Sequence, residues 1–485
     1  MPSTQGLSVP PTRRLSIVPP VVACLILIAS PHLARLGSPS LYADDVDRVA
    51  QVRAEPLGRM LFAPFNEHVA PLFQLVTWFT WRVAGERLAR APMAFTLASF
   101  LPFVLTLALL WRVLRRETRG DAGALAGMAI FSISWLSIET VWWYSASSFM
   151  WSLCFTLAAW EATEPGALSP RSRFPAAFLA TAAAPAFSMI GILAGPVAVV
   201  KAAATGGKSA WKDALAALLG TCLFLAVYGM VHDRDVVASN VERNAGVWSG
   251  LVAATRAPAA ALVPAVFGRK TLPTAGASGP VFTLLSATAA LGLIVRAWKN
   301  PDERPALLSG LALIAGGYAL TFCARAGAPG LLLLQTQRYH LFPMLGLLLV
   351  LSPALRWVFE PRRDPVPRLW LAVALASALV ATHRSELRGR ARFLRFPDQA
   401  ATLDALDRLD LACAHSGVSR AQAIAALEPD SPAWAPAGRS VFVMLGPCAE
   451  RARVPASSAP AILGTLYPRP PLSPQASKKV ARDWR

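Results

Sequence analysis

The sequence predicts an all-α polytopic membrane protein. Of its 485 residues, 54% are hydrophobic and only 15% are charged, and the mean hydropathy is +0.45. A soluble globular chain carries about 25% charged residues. The apolar residues also fall into runs close to the roughly 20 residues that a helix needs to cross a bilayer. The short alternating strands typical of a membrane β-barrel are not seen in the pattern.

The net charge of +19 follows the ends of these apolar runs. A basic chain can bind nucleic acid, but that function favours a basic stripe with interleaved aromatic residues, which this sequence lacks. Short clusters of Arg and Lys beside apolar runs are instead typical of cytoplasmic loops. The expected partner is therefore the lipid bilayer, and no nucleic acid is expected.

About eleven segments are predicted to span the membrane. They are 16–34, 92–113, 122–139, 142–160, 175–189, 190–204, 213–231, 280–297, 306–324, 339–357 and 368–383. The segments 175–189 and 190–204 form either two spans or one broken segment, because Pro and Gly residues interrupt both. The apolar stretch 70–90 has four charged residues in its second half and is predicted to lie in the membrane interface.

With a cytoplasmic N-terminus, every inner loop is basic. These loops and their flanks contain Arg13, Arg14, Arg112, Arg115, Arg116, Arg119, Arg171, Arg173, Lys208, Lys212, Arg296, Lys299, Arg304, Arg356, Arg362, Arg363 and Arg368. The predicted location is the inner or plasma membrane, with the C-terminus outside the cytoplasm. Four regions then share the outer face: 35–91, 232–279, 325–338 and 384–485.

Two domains are predicted. Residues 1–383 form the transmembrane domain, whose first outer loop is 35–91. Residues 384–485 form a small extracytoplasmic α/β region, with an amphipathic helix over 386–412 and a strand over 440–445. Its last 30 or so residues are rich in Pro, Ser and basic residues, which is typical of disorder.

The first candidate residues for chemistry are Asp44, Asp45 and Asp47, about ten residues after the first apolar run. Adjacent carboxylates repel, which raises the pKa of one and improves it as a general base. They are also candidate ligands for a divalent cation. The alternative is a solvated loop or a helix N-terminus, where acidic residues are favoured.

Glu67 and His68 are the second candidate pair. They offer a carboxylate and an imidazole that can orient an acceptor, bind a divalent cation or contact a phosphate. The alternative is a capping role for this segment, since Asn66 can cap the helix that follows.

Arg338, Tyr339 and His340 form the third group, at the outer start of a predicted span. A planar guanidinium suits a lipid phosphate, and an ionisable group just inside a membrane is often functional. Snorkelling of the Arg and an interfacial belt position for the Tyr are the alternatives. Glu139 with three following aromatic residues is a weaker group, which an aromatic belt already explains.

The arrangement resembles the GT-C superfamily of integral membrane glycosyltransferases, of the ArnT and protein-mannosyltransferase types. The resemblance rests on Asp44-Asp45 after the first span, Phe65-Asn66-Glu67-His68 in the same loop, and Gln337-Arg338-Tyr339-His340 late in the chain. It covers residues 15–383 as architecture. The Trp-Trp-Asp motif of oligosaccharyltransferases is missing, since Trp142-Trp143 is followed by Tyr144.

The resemblance implies an inverting transfer of a sugar from a polyprenyl-phosphate carrier to an acceptor. Asp44 or Asp45 is then the catalytic base, and Glu67, His68, Arg338, Tyr339 and His340 bind substrate. No cofactor is certain; a divalent cation is possible, with Asp44, Asp45, Glu67 and His68 as its candidate ligands. Two other functions stay open: a transporter or flippase of envelope lipids, and a non-catalytic envelope assembly protein.

Overall fold

The structure is a computed structural model, and it describes most of the chain up to the last predicted span. The described residues are 11–37, 39–42, 44–63, 69–231, 247–262, 279–324, 336–359 and 365–393, together with Leu403 and Asp407. These residues form sixteen α-helices joined by short 3₁₀ and π turns, and contain no strand. The predicted all-α class is therefore confirmed for this part of the chain.

The first eight helices lie between Pro11 and Ala162. They are α1 (Pro11–Leu36), α2 (Asp44–Ala54), α3 (Leu57–Phe62), α4 (Pro71–Val83), α5 (Ala91–Glu117), α6 (Asp121–Ile133), α7 (Trp135–Trp142) and α8 (Ser147–Ala162). The other eight are α9 (Pro170–Phe187), α10 (Ala194–Thr205), α11 (Lys208–Val231), α12 (Val247–Ala257), α13 (Gly279–Lys299), α14 (Arg304–Ala324), α15 (Leu341–Val358) and α16 (Pro365–Phe393).

Five helices are long and apolar enough to cross a membrane. They are Leu88–Glu117, Lys208–Val231, Arg304–Ala324, Gln337–Val358 and Pro365–Arg384. A sixth candidate is the pair Asp121–Ile133 and Leu136–Trp142, which is bent by 67°. Each of the eleven predicted spans overlaps helical structure, but several helices are short: α8, with 16 residues, is about 24 Å long against a hydrocarbon core of about 30 Å.

Residues 175–204, predicted to form either two spans or one broken segment, contain two helices, α9 and α10. Arg173, in the first turn of α9, donates to the Thr163 carbonyl at 3.3 Å, and Lys201, near the end of α10, reaches the Thr163 hydroxyl at 3.4 Å. The chain therefore runs away from Thr163 and returns to it. The reversal begins at the extended residue Ser188. It requires Gly191, since a Cβ there would lie 2.3 Å from the Ala184 carbonyl carbon.

Helices α2, α3 and α4 form a layer in the first predicted outer loop. Helix α4 has 13 residues, so its length of about 20 Å is too short to cross a bilayer core. It buries Gln74 and Thr77 while exposing Leu75, Phe79 and Val83. A soluble amphipathic helix has the opposite arrangement. The exposed apolar stripe favours contact with lipid, as the prediction of an interfacial segment implies.

Polar contacts gather the helix connections into two groups. One group, called here the Arg116 end, pairs Arg116 and Arg112 with Glu161, Lys201 with Glu164, Arg173 with Asp213, and Arg119 with Asp302. The other, the Asp45 end, joins the segment after α1, the α7–α8 turn and the 3₁₀ turn before α15.

The start of the C-terminal region contacts the first loop. Helix α16 continues to Phe393, so the predicted boundary at 383 is not a helix end. Leu403 is fully buried in the same apolar cluster as residues of α2 and α4. Asp407 accepts hydrogen bonds from the backbone N–H groups of Leu88 at 2.8 Å and Ala89 at 2.9 Å. The predicted strand over 440–445 and the final segment lie outside the described residues.

Candidate functional site

Asp45 holds the segment after α1 against the α7–α8 turn. Its Oδ1 accepts hydrogen bonds from the Ser145 backbone N–H at 2.7 Å and the Ser145 hydroxyl at 2.8 Å. Its Oδ2 accepts from the Tyr42 backbone N–H at 3.0 Å. The residue is 1% exposed, and this burial raises its pKa to about 6, although the hydrogen bonds from Ser145 and Tyr42 and the charge of Arg35 oppose the rise.

Arg35 fixes the path of the same segment from the end of α1. Its guanidinium donates to the Ser40 hydroxyl at 2.6 Å and to the Ser40 carbonyl at 2.5 Å. The guanidinium also interacts electrostatically with Asp45. The turn between α1 and α2 is thus closed by two buried charged residues, Arg35 and Asp45.

Asp44 has a different environment from its neighbour. It is the first residue of α2, and its side chain is partly exposed. Its carboxylate interacts electrostatically with Arg338, which lies almost 300 residues further along the chain. The two adjacent acids are therefore unlike: Asp45 is buried and held by three donors, and Asp44 is partly exposed and within electrostatic range of Arg338.

Arg338 is positioned by Glu139 of α7. Glu139 Oε2 accepts from the Arg338 backbone N–H at 3.0 Å, and Oε1 accepts from Arg338 Nη1 at 2.5 Å. Gln337 Oε1 in turn accepts from the Glu139 backbone N–H at 3.1 Å. These three bonds fix the 3₁₀ turn Gln337–His340 against α7, and the Arg338 side chain keeps 21% of its surface exposed.

Aromatic rings surround this ion pair. The Arg338 guanidinium carbon lies 4.8 Å from the Trp143 ring centre and 5.0 Å from that of Tyr339. Tyr42 meets the Trp143 ring edge-on at 5.3 Å. Cation–π contacts of this kind hold a guanidinium in place and are strongest where water is excluded. The site therefore presents a fixed cation beside a carboxylate, lined by indole and phenol rings.

His340 faces the interior. It is fully buried, and its Nδ1 lies 3.0 Å from the hydroxyl oxygen of Tyr318. Of the predicted site residues, the structure brings Asp44, Asp45, Arg338 and Tyr339 together and places His340 behind them. Glu67 and His68 lie outside the described residues.

The roles of two site residues were not predicted from the sequence. Glu139 was noted only within an aromatic belt, and Ser145 was not noted at all. Their partners are about 199 and 100 positions away, and a single sequence carries no local signal for such pairs. The one available hint was the scarcity of acids in apolar segments, which makes Glu139 unusual.

A cation site is not evident in the described part of the chain. No group of three or more His, Cys, Asp or Glu side chains there is arranged to hold a metal ion. Two of the four candidate ligands, Glu67 and His68, fall outside that part. The divalent cation thus stays an expectation from the sequence.

No model of a known protein family matches the chain, and no match was found among curated proteins or solved structures. The geometry of the Asp45 end is therefore the basis for a functional proposal.

Proposed function

We propose that this chain is an integral membrane glycosyltransferase. It transfers a sugar from a polyprenyl-phosphate donor to an acceptor hydroxyl on the extracytoplasmic face. The observation that carries the proposal is the Arg338 guanidinium, which Glu139 and Trp143 hold at the end of the bundle where Asp44 begins α2, within electrostatic range of that carboxylate. Such a site offers a base and a phosphate-binding cation at one end of an apolar helical bundle.

Asp44 is the proposed base, and Asp45 is a positioning residue. Asp44 is partly exposed at the helix start, whereas Asp45 is buried and already accepts three hydrogen bonds. In the reaction, Asp44 takes the proton of the acceptor hydroxyl, whose oxygen bonds to the anomeric carbon. The bond from that carbon to the phosphate oxygen breaks, and polyprenyl phosphate leaves. Attack from the face opposite the leaving group inverts the configuration.

Arg338 is the proposed contact for the donor phosphate. A guanidinium carries five N–H donors, and Glu139 is its only hydrogen-bond acceptor among the described residues. An anion developing on the leaving phosphate is stabilised by such a fixed cation without reorganisation at the moment of reaction. The isoprenoid tail would lie in lipid beside the exposed apolar faces of the helices.

The finer fold and location are part of the same proposal. A GT-C-like arrangement of about eleven spans, with the Asp45 end outside, accounts for the basic residues gathered at the Arg116 end. A topology reporter fused after residue 400 is expected to report an extracytoplasmic position. A cytoplasmic signal would place the site on the wrong face and overturn the proposal.

The decisive experiment is Asp44→Asn in the full-length protein, reconstituted in nanodiscs and assayed with a panel of radiolabelled polyprenyl-phosphate sugars and envelope lipid extract. Wild-type protein is expected to transfer sugar and release polyprenyl phosphate. The variant is expected to lose about 10²–10⁴-fold in kcat, the usual contribution of a general base. Asp121→Asn, an exposed acid paired with Arg115, is the matched control.

Two outcomes would contradict the proposal. One is wild-type protein that transfers no sugar from any donor of the panel. The other is an Asp44→Asn variant with unchanged kcat. The alternative of a lipid transporter or flippase would instead show movement of labelled donor across the bilayer without a glycosylated product.

A further inference from the structure

A second polar cavity lies at the far end of α2 from Asp44. It has a volume of about 450 Å³, within the range of small-ligand sites. Six of its lining residues come from α2, α4 and the turns beside them. They are Arg53, Glu55, Trp78, Trp81, Arg82 and Glu86.

The charges of this cavity balance. Two guanidiniums face two carboxylates, and Arg82 is paired with Glu86. A phosphate or a metal ion favours a site of one charge sign, so neither suits this lining. A neutral polyhydroxylated ligand does suit it, because adjacent hydroxyls can accept from guanidinium and donate to carboxylate.

Aromatic rings complete the lining. The Arg82 guanidinium carbon lies 5.1 Å from the Trp78 ring centre, and that of Arg53 lies 5.9 Å from the Trp81 ring centre. These contacts fix the direction of both guanidiniums. The charged groups that these contacts hold in the lining match the hydroxyl rim of a sugar ring.

The Glu55 carboxylate has a buried oxygen atom without a hydrogen-bond donor among the described residues, which is an independent indication of a ligand. Its Oε2 is shielded from solvent and accepts no hydrogen bond from any residue that the structure describes. A buried acceptor without a donor is destabilising, and more so when it is charged. A ligand hydroxyl bound in the cavity would supply the donor.

Glu86 supports the same site through its backbone. It has φ +58°, in the left-handed region, directly after Gly85 with φ +67°. Glycine or asparagine would be less strained there. The Glu86 carboxylate pairs with Arg82 at the edge of the cavity. A charged residue of the cavity lining therefore occupies a position where the backbone is strained.

We infer that this cavity binds a non-reacting sugar unit of an oligosaccharide acceptor. Arg53 lies nine residues after Asp44 on the same helix, which is about 14 Å along its axis. An acceptor that occupies both places must contain more than one sugar unit. The acceptor is therefore a neutral glycan chain rather than a single hydroxyl-bearing headgroup. The assignment of this sugar unit to the acceptor rests on the proposed glycosyl transfer. The binding of a saccharide in the cavity does not depend on it.

The test measures binding without catalysis. Full-length Asp44→Asn protein in nanodiscs is titrated with three soluble probes: a neutral trisaccharide such as maltotriose, an acidic one such as trigalacturonic acid, and a basic one such as chitosan trimer. Ligand-observed NMR reports the affinity. The neutral probe is expected to bind at least tenfold more tightly than the other two.

Variants locate the binding. Glu55→Gln and Arg53→Gln are each expected to weaken binding of the neutral probe about tenfold or more, as the loss of a charged hydrogen-bond partner implies. Arg59→Gln changes an exposed arginine of α3 and is expected to leave binding unchanged. Thermal melting of each variant verifies that it is folded.

Three results would overturn the inference: no binding of the neutral probe, preference for a charged probe, or binding unaffected by both cavity variants. Failure of the proposed function is a separate result, since it appears as absent sugar transfer by wild-type protein. If saccharide binds the cavity and no transfer occurs, the cavity stands as a glycan-binding site and the acceptor assignment falls.

Discussion

Glu139 binds Arg338 twice, through the backbone N–H at 3.0 Å and through Nη1 at 2.5 Å. The two residues lie 199 positions apart, so one carboxylate sets both the position of the 3₁₀ turn and the direction of the guanidinium. Arg338 is thus oriented before any donor binds.

Glu139→Ala is expected to lower kcat/KM for the donor at least tenfold, because a loosened guanidinium no longer meets the leaving phosphate in a fixed position. Its matched control is Glu161→Ala, which breaks a carboxylate–arginine pair with Arg116 at the other end of the bundle. Both variants are expected to lose about 1–3 kcal/mol of unfolding free energy, the cost of leaving a partner without its bond. Steady-state kinetics and thermal melting in nanodiscs separate the two effects. Equal kinetic losses in both variants would show that Glu139 acts on stability alone.

The raised pKa of Asp45 predicts that the stability of the protein depends on pH. The folded-state pKa of about 6 lies above the ordinary value of 3.8. The folded protein therefore binds this proton more tightly than the unfolded chain does, and stability falls as pH rises from about 4 to 6. The full difference at pH 7 is about 3 kcal/mol.

The measurement is the melting temperature of wild-type protein relative to Asp45→Asn at pH 5, 6 and 7. The wild type is expected to lose stability relative to the variant as pH rises. A variant of the exposed Asp121 shows the effect of removing an acid elsewhere. A difference between wild type and Asp45→Asn that stays constant across this range would mean that Asp45 does not titrate there.

No side chain is expected to be tolerated at position 191. Gly191→Ala places a methyl group 2.3 Å from the carbonyl carbon of Ala184, and overpacking of this kind costs about 1–3 kcal/mol or more. Gly229→Ala in α11 is the control, because its Cβ would meet no atom within 4 Å and alanine favours a helix by up to about 1 kcal/mol. Melting curves should shift in opposite directions. A Gly191→Ala protein as stable as wild type would argue against the close hairpin of α9 and α10.

Asp407 is expected to hold the turn before α5. Asp407→Ala removes the two bonds to the Leu88 and Ala89 N–H groups, at a cost of about 0.5–2 kcal/mol. Hydrogen exchange of a peptide containing residues 88–90 should accelerate in the variant, while a peptide from α11 should not change. Unchanged exchange at 88–90 would show that this contact does not persist in solution.

The helices were the most predictable part of the molecule. Long apolar runs such as 92–113 and 213–231 predict helix position well, because in lipid only a helix satisfies the backbone polar groups within a single segment. Breaks within a run were less predictable: Ser134 ends α6 without a Pro or Gly, and α16 continues ten residues past its predicted end. Local composition does not report the packing that decides such breaks.

The site was predictable only in part. The position of Asp44 and Asp45 after α1 and of Arg338 before α15 indicated one end of the bundle, and the structure brings these residues together. The difference between the two acids was not predictable, since it depends on Ser145, which reaches Asp45 only in the folded state. The buried position of His340 likewise involves a contact with Tyr318 from a neighbouring helix.

The contact of Leu403 and Asp407 with the first loop has a consequence for the order of biosynthesis. The α2–α4 layer leaves the ribosome early, yet Leu403, which packs against this layer, and Asp407, which binds the turn before α5, are made after α16. The packing around the first loop is therefore complete only when more than four-fifths of the chain has been translated. A product that ends before Leu403 would leave this face of α2 and α4 without its cover.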